Sequence, residues 1–276
     1  MRLLKILLGL ILICLLTAVT QIGGVVFLVS LLTFGLIDKQ LTTRWIRVTA
    51  KIFSFAMLYL FFVFVIIPLS AKPFGRVPLP VFENRNLRPA NIWTCLLNRN
   101  YVRPQLRDIA YKAAEGMSNK FPGTIINYLD ANFPFVNKFP LLPHLSHNDG
   151  KKLDLSFHYN DSGTGLMTND VPSFIGYGIC EEPKDGEENK PEDCEKKGFW
   201  QYNLLRNNVS QANKDKLTFD NKRTRELVNS FASQDGLGKI FIEPHLKTRL
   251  GLNSSKIRFH GCQAVRHDDH IHVQLK

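Results

Sequence analysis

The first 76 residues constrain the fold most, because they are too apolar to share a solvent with the rest. Residues 3–37 are apolar except over Thr17–Gly24, and residues 52–69 form a second apolar run. A membrane-spanning helix needs about 20 such residues. The second run fits one span. The first is long for one, and reads as two short helices turning near Gln21-Ile22-Gly23-Gly24, with one long tilted helix as the other reading. A cleaved signal peptide over residues 1–20 is disfavoured. Thr17-Ala18-Val19-Thr20 is a poor cleavage site, and more apolar sequence follows at once.

Charge agrees with an anchor. Residues 1–76 carry eight Lys/Arg against one acid, Asp38, and residues 77–276 carry 27 against 23. Of the formal net charge of +11, +7 therefore lies in the first quarter. The basic balance is a membrane-flank signal that gives no nucleic-acid partner, and the lipid bilayer is the partner it implies. The loop 38–51 holds Lys39, Arg44, Arg47 and Lys51, which places it on the cytoplasmic side. With Arg2 and Lys5 also inside, spans at about 3–20, 23–37 and 52–70 export residues 71–276. A two-span arrangement with the same inside loop exports them too.

Cysteine usage fits export. Cys14 lies in the apolar quarter, and Cys95, Cys180, Cys194 and Cys262 are an even number in an oxidising compartment. Cys180 and Cys194 bracket the acidic loop 181–193 and are expected to pair, leaving Cys95 for Cys262. No pair has Cys-x-x-Cys spacing, so a thiolate zinc knuckle is not supported.

Residues 71–90 hold Pro73, Pro78, Pro80 and Pro89 and read as a linker before a domain over 91–276. Within it, 104–120 has a helical stripe of Leu106, Ile109, Ala110, Ala113 and Met117. Residues 124–128 are a strand candidate. Residues 152–159 alternate as a strand, with Leu153, Leu155 and Phe157 opposite Asp154, Ser156 and His158. Residues 181–197 read as a charged surface loop. Asp220 is a candidate cap for a helix over 221–233 with the stripe Thr224, Leu227, Val228 and Phe231. Strands are expected at 239–242, 257–259 and 271–275, and Pro244 opens a short helix. Helices and strands mixed without βαβ alternation give an α+β class.

Five of the eight histidines fall in two short windows, His144-Leu145-Ser146-His147 and His267-Asp268-Asp269-His270-Ile271-His272. Histidine with carboxylate suits zinc, whose catalytic sites take three protein ligands and leave one position open. On a strand, His270 and His272 share a face, roughly 6.6–6.8 Å apart at Cα. His267 can curl over the same site. His147 lies on the turn Asn148-Asp149-Gly150, which can return Asp154 towards it. His158 is roughly 13 Å from Asp154 along the strand and is left out. His245 and His260 read as structural or surface residues. Arg266 is a candidate for holding a substrate carboxylate, a surface arginine being the plain alternative. Gly176-Tyr177-Gly178 reads as a cleft lining or a turn.

The pattern Ser146-His147, Gly150 and Asp154, with His270-x-His272 much later, resembles the LAS zinc metallopeptidases, which include the hedgehog signalling domain. The likeness runs furthest with the penicillin-insensitive murein endopeptidases. There a histidine stands three residues before the ligand histidine, as His144 does, and the last block is His-x-x-His-x-His, as in His267, His270 and His272. Lys239-Ile240-Phe241-Ile242-Glu243-Pro244 resembles a strand-to-helix turn of that family. The resemblance covers roughly 143–276; residues 77–130, the 181–197 loop and the anchors have no counterpart in it.

The resemblance implies a LAS/hedgehog-like α+β domain with a small antiparallel sheet. It implies His147, Asp154 and His272 as Zn2+ ligands and His270, with His267 nearby, as the catalytic groups; His144 and Arg266 are substrate-site candidates by their place beside these residues, with ordinary loop residues as the plain alternative. The activity implied is hydrolysis of peptide bonds in peptidoglycan crosslinks or stem peptides, by an inner-membrane, multi-pass protein whose domain faces the periplasm. A non-catalytic zinc-binding domain of the same fold is the alternative, and His270 and His267 are what it would have no need to keep. A two-metal phosphodiesterase would call for more carboxylates than the one firm carboxylate present.

Overall fold

The computed structural model describes residues 2–276; Met1 lies outside them, as do the side chains of Arg2 and Lys5 assigned above to the cytoplasmic side. The helices are α1 (Arg2–Thr20), α2 (Gly23–Gln40), α3 (Arg44–Phe61), α4 (Ile67–Ser70), α5 (Ile92–Leu96), α6 (Pro104–Lys120), α7 (Lys190–Lys196), α8 (Leu204–Asn208), α9 (Asn221–Ala232) and α10 (Pro244–Arg249). The strands are β1 (Val77–Pro78), β2 (Leu87–Pro89), β3 (Tyr101–Val102), β4 (Ile126–Tyr128), β5 (Lys152–Ser156), β6 (Tyr159–Asp161), β7 (Met167–Thr168), β8 (Leu217–Phe219), β9 (Leu237–Phe241), β10 (Ile257–Arg258) and β11 (His270–Leu275). The class is α+β, with small sheets.

The apolar quarter folds as three helices. The break falls at Gln21, whose φ of 65° turns the chain back, so residues 3–37 are two helices and not one tilted rod. A π-helical turn over Phe62–Ile66 joins α3 to α4, making one rod over Arg44–Ser70. Two helices, Gly23–Gln40 and Arg44–Ser70, are long and apolar enough to cross a membrane; Ile6–Thr20 is a shorter apolar helix. The third helix starts at Arg44, eight residues earlier than the apolar run suggested. The expected basic loop 38–51 is therefore mostly helix ends, tied by the Lys51–Asp38 ion pair at 2.6 Å.

The main sheet has six strands in the order β10-β9-β11-β5-β4-β2. Its centre is antiparallel, while β10 on β9 and β2 on β4 are parallel. One face is the core. Leu153, Leu155, Ile271 and Val273 meet α6 through Leu106, Ile109 and Met117, and α9 through Leu227, Val228 and Phe231. The helix stripes read from sequence are buried, and Asp220 caps α9 by accepting the Arg223 N–H. Every residue of β5 is buried, because the Asp154 face is covered as well.

Two segments differ from their sequence reading. Residues 71–90 do not hang free. They carry β1, paired with β3, and β2, paired with β4, and they bury Leu79 and Leu87. Prolines at strand ends and edges are compatible with pairing, and the apolar residues between them found a core to join. The 181–197 loop contains α7, capped by Asn189, and Arg249 draws the loop inward through Glu187. That helix presents Cys194 to Cys262, with a Cα separation of 5.3 Å, and these two form the disulfide. Cys180 and Cys95 are buried free thiols, so both expected pairings are corrected. Closeness in sequence favoured Cys180 with Cys194, but the docking of α7 decided the partner. Cys95 faces inward, 3.2 Å from the Tyr128 hydroxyl.

Candidate metal centre

Strand register builds half the site. In the antiparallel ladder of β5 and β11, His272 lies directly opposite Asp154. Directly opposed side chains on one face are near neighbours, and here His272 Nδ1 is 2.8 Å from Asp154 Oδ1. His270, two residues back, shares that face. The other half comes from the loop after β4. His147 Nδ1 donates to the Ala131 carbonyl at 2.6 Å, which leaves Nε2 with its lone pair facing the pair of ligands. It lies 3.1 Å from His272 Nδ1 and 3.2 Å from Asp154 Oδ1.

That loop is held from below. The Asn132 amide accepts the Gly150 N–H at 3.0 Å and donates to the Lys152 carbonyl at 2.8 Å. Gly150 has φ +78°, and a Cβ there would sit 2.5 Å from the buried Arg76 guanidinium. Burial pushes Arg76 down to about 10, with Arg103 adding to the effect.

The three atoms fit a divalent ion of zinc's size. Tetrahedral bonds of about 2.0–2.1 Å put ligand atoms about 3.3 Å apart. The observed edges of 2.8, 3.1 and 3.2 Å are close to that, and among the described residues this is the group of His, Cys, Asp and Glu that could hold a metal ion. All three residues are buried.

Hydrogen-bond partners fix the orientation of these candidate ligands, as metal sites require. Tyr177 donates to Asp154 Oδ2 at 2.8 Å, and its oxygen accepts the Asp130 N–H at 3.0 Å. His144 Nδ1 donates to Asp130 Oδ2 at 2.9 Å, and Arg99 pairs with the same carboxylate. His270 Nδ1 is bonded to Asp269 Oδ1, and Asp269 Oδ2 accepts the Gly178 N–H at 2.6 Å. Gly178 has φ +83°, and a Cβ there would strike Val209 at 2.6 Å. The Gly-Tyr-Gly turn thus serves two site residues at once.

Electrostatics separate the histidines. Burial pulls His270 down, but Asp269 and Asp154 outweigh it and hold it at about 9. Burial, with His270 and His272 beside it, holds His267 well below its ordinary value. His272 is brought down to about 4 by burial against the pull of Asp154. Burial alone would raise Asp154, but His147 and His270 hold it well below the usual carboxylate range.

His144, His147, Asp154, His267, His270 and His272 line one cleft of about 470 Å³. His144 Nε2, His267 Nδ1 and His270 Nε2 are buried without a hydrogen-bond partner. His260 joins the wall, stacked on Phe241 at 4.1 Å and 5.3 Å from His267, a place its isolated position in sequence did not signal. Arg266 is not in the cleft. It is buried and bonded to both oxygens of Asp268, to Asn203 at 2.8 Å and to Glu182 at 2.7 Å. His158 and His245 lie outside the cleft too; His245 donates to the Glu181 carbonyl at 2.8 Å. Asp130 was missed as a site residue, and Tyr177, read only as part of a cleft lining or turn, was not foreseen as the support of Asp154, since hydrogen-bonding supports follow no fixed spacing.

Neither a scan against protein-family models nor a search of curated proteins finds a match for this chain. The functional reading therefore rests on the residues themselves.

Proposed function

We propose that the chain is a membrane-anchored zinc peptidase of LAS/hedgehog type. The observation that carries the reading is the converged triad of His147 Nε2, Asp154 Oδ1 and His272 Nδ1 at 2.8–3.2 Å, beside a third histidine, His270, outside the triad. A zinc ion there would supply a water acidified toward neutral pH and polarise the scissile carbonyl. The protein's own part is proton handling and placement. His270 Nε2 lies 3.8 Å from Asp154 Oδ2, within reach of a group bound at the triad. Its Nδ1 is held by Asp269, so Nε2 is the atom that carries a proton to the leaving amine. An imidazolium at that place also stabilises negative charge on the reacting carbonyl oxygen. His267 and His144 line the same space as neighbours.

The two histidine blocks point to peptide crosslinks or stem peptides of the bacterial wall as substrate. The basic side chains Lys39, Arg44, Arg47 and Lys51 at the facing ends of the two long apolar helices favour a cytoplasmic turn there. The disulfide favours an oxidising compartment, the periplasm, for the domain. The test uses the full chain in detergent. Metal analysis of wild type and His270→Ala should give about one zinc per chain in both. Only the wild type should release fragments from isolated peptidoglycan. Zinc retained with no release by the wild type would leave the non-catalytic alternative standing in its place.

A further inference from the structure

We propose that the rim of the metal cleft rests in the outer interface of the bilayer holding the helices, and that the site serves peptides carried on a lipid anchor. This rests on reading α1–α3 as membrane helices and the triad as a peptidase centre. The domain is pinned to the helix ends. Phe135 N–H donates to Gln21 Oε1 at 2.8 Å, Asn98 Nδ2 donates to the Thr20 carbonyl at 3.3 Å, and the Tyr59 hydroxyl donates to the Leu96 carbonyl at 2.6 Å. Phe27 of α2 meets Phe55 of α3 at 6.1 Å, so one turn further out Gly23 stands level with Tyr59. That level is the outer end of the α1–α2 hairpin. The end of α5 is bonded to it, so α5 lies level with the outer end of that hairpin, while the rod Arg44–Ser70 runs on past this level with Val63 and Ile67 buried beside Tyr101 of the domain.

The side chains around α5 suit that place. Trp93 is 51% exposed and Val136, beside Gln21, 57%. Phe174, 71% exposed, is tied to α5 by Asn91, which donates to its carbonyl at 3.2 Å. Leu142, 63% exposed, is tied by Arg99, which donates to its carbonyl at 2.9 Å. An apolar group of this kind marks a surface with a partner, and tryptophan favours the membrane interface. The helices supply the partner, since contact with them fixes this face against the outer leaflet. A cleft of about 150 Å³ then leads inward from Trp93 and Ile175 to Asp130, Tyr177 and His144. Pro143 and His144 line both it and the metal cleft, so the two adjoin across these residues.

The test places the full chain, with Trp45→Phe and Trp200→Phe, in phosphatidylcholine vesicles, leaving Trp93 as the reporter. Lipids spin-labelled near the headgroup should quench its fluorescence, and aqueous iodide should not. Quenching by iodide without quenching by lipid would overturn the proposal. In the same vesicles, a palmitoylated alanyl peptide should bind the His270→Ala chain at least about tenfold more tightly than the unacylated peptide, beyond what chain partitioning gives. That excess should vanish in His270→Ala chains that also carry Trp93→Ser and Phe174→Ser. An equal excess with and without the rim substitutions would sink the lipid-anchored substrate even if Trp93 lies in lipid. Neither measurement needs turnover, so both results are independent of whether the site cleaves peptides.

Discussion

At the scale of single residues, the site depends on three ligand atoms and on the groups that aim them. Asp154→Asn or His147→Ala should abolish stoichiometric zinc, read by metal analysis of the full chain. Tyr177→Phe keeps the ring and removes the hydroxyl that holds Asp154 Oδ2. Loss of such a support typically weakens metal binding about 10–100-fold, so this variant should bind zinc but yield it to a competing chelator at lower concentration. The convergence of His147, Asp154 and His272 was legible in the sequence because their chemistry is rare and clustered. Asp130, His260 and the role of Tyr177 as a support were not, because a hydrogen bond or ring contact across the fold leaves no periodic trace. Arg266 was misplaced for the opposite reason. Its neighbours in sequence are site residues, yet its guanidinium turns to Asp268 and Glu182.

At the scale of elements, alternation and helical stripe were enough to find β5, β11, α6 and α9 and to say which faces are apolar. The strand's other face was harder to read, since Asp154 and Ser156 are as buried as the leucines between them. Asp220→Ala removes the α9 cap and should cost about 1 kcal/mol, measured by urea unfolding. His158, just past β5, gives a pH test. Burial, with Arg223 adding to it, pushes its folded value down to about 3. The unfolded chain protonates this group near the ordinary value of about 6.5. The neutral buried form therefore contributes stability above that pH, and the contribution is lost as pH falls toward 3. The loss approaches roughly 1.4 kcal/mol per pH unit for one proton. Between pH 6.5 and 4.5 the urea midpoint should fall less steeply in His158→Gln than in wild type. Parallel slopes would mean that the imidazole is solvated.

At the scale of the whole molecule, the apolar quarter is built into the structure and is more than a tether. Ile22, Val63 and Ile67 share a buried cluster with Tyr101 of the domain, and the supposed linker supplies Arg76 beneath the His147 loop. Composition could not show this, because a proline-rich stretch reads the same whether it is free or packed. The Cys194–Cys262 disulfide closes a separation of 68 residues just ahead of the second histidine cluster. Its removal in Cys194→Ala/Cys262→Ala should lower stability by about 2–4 kcal/mol, and reductant should lower the Tm of wild type but not of the double variant. The order of the large sheet sets a timetable for its birth. β11, made more than a hundred residues after β5, sits between β5 and β9. Until residues 270–275 leave the ribosome, two neighbouring strands each present a bare edge and the His147–Asp154–His272 cluster lacks its last imidazole. Synthesis of the last strand must therefore finish before either the sheet or the cluster can close, and a nascent chain stalled short of that point carries an open seam.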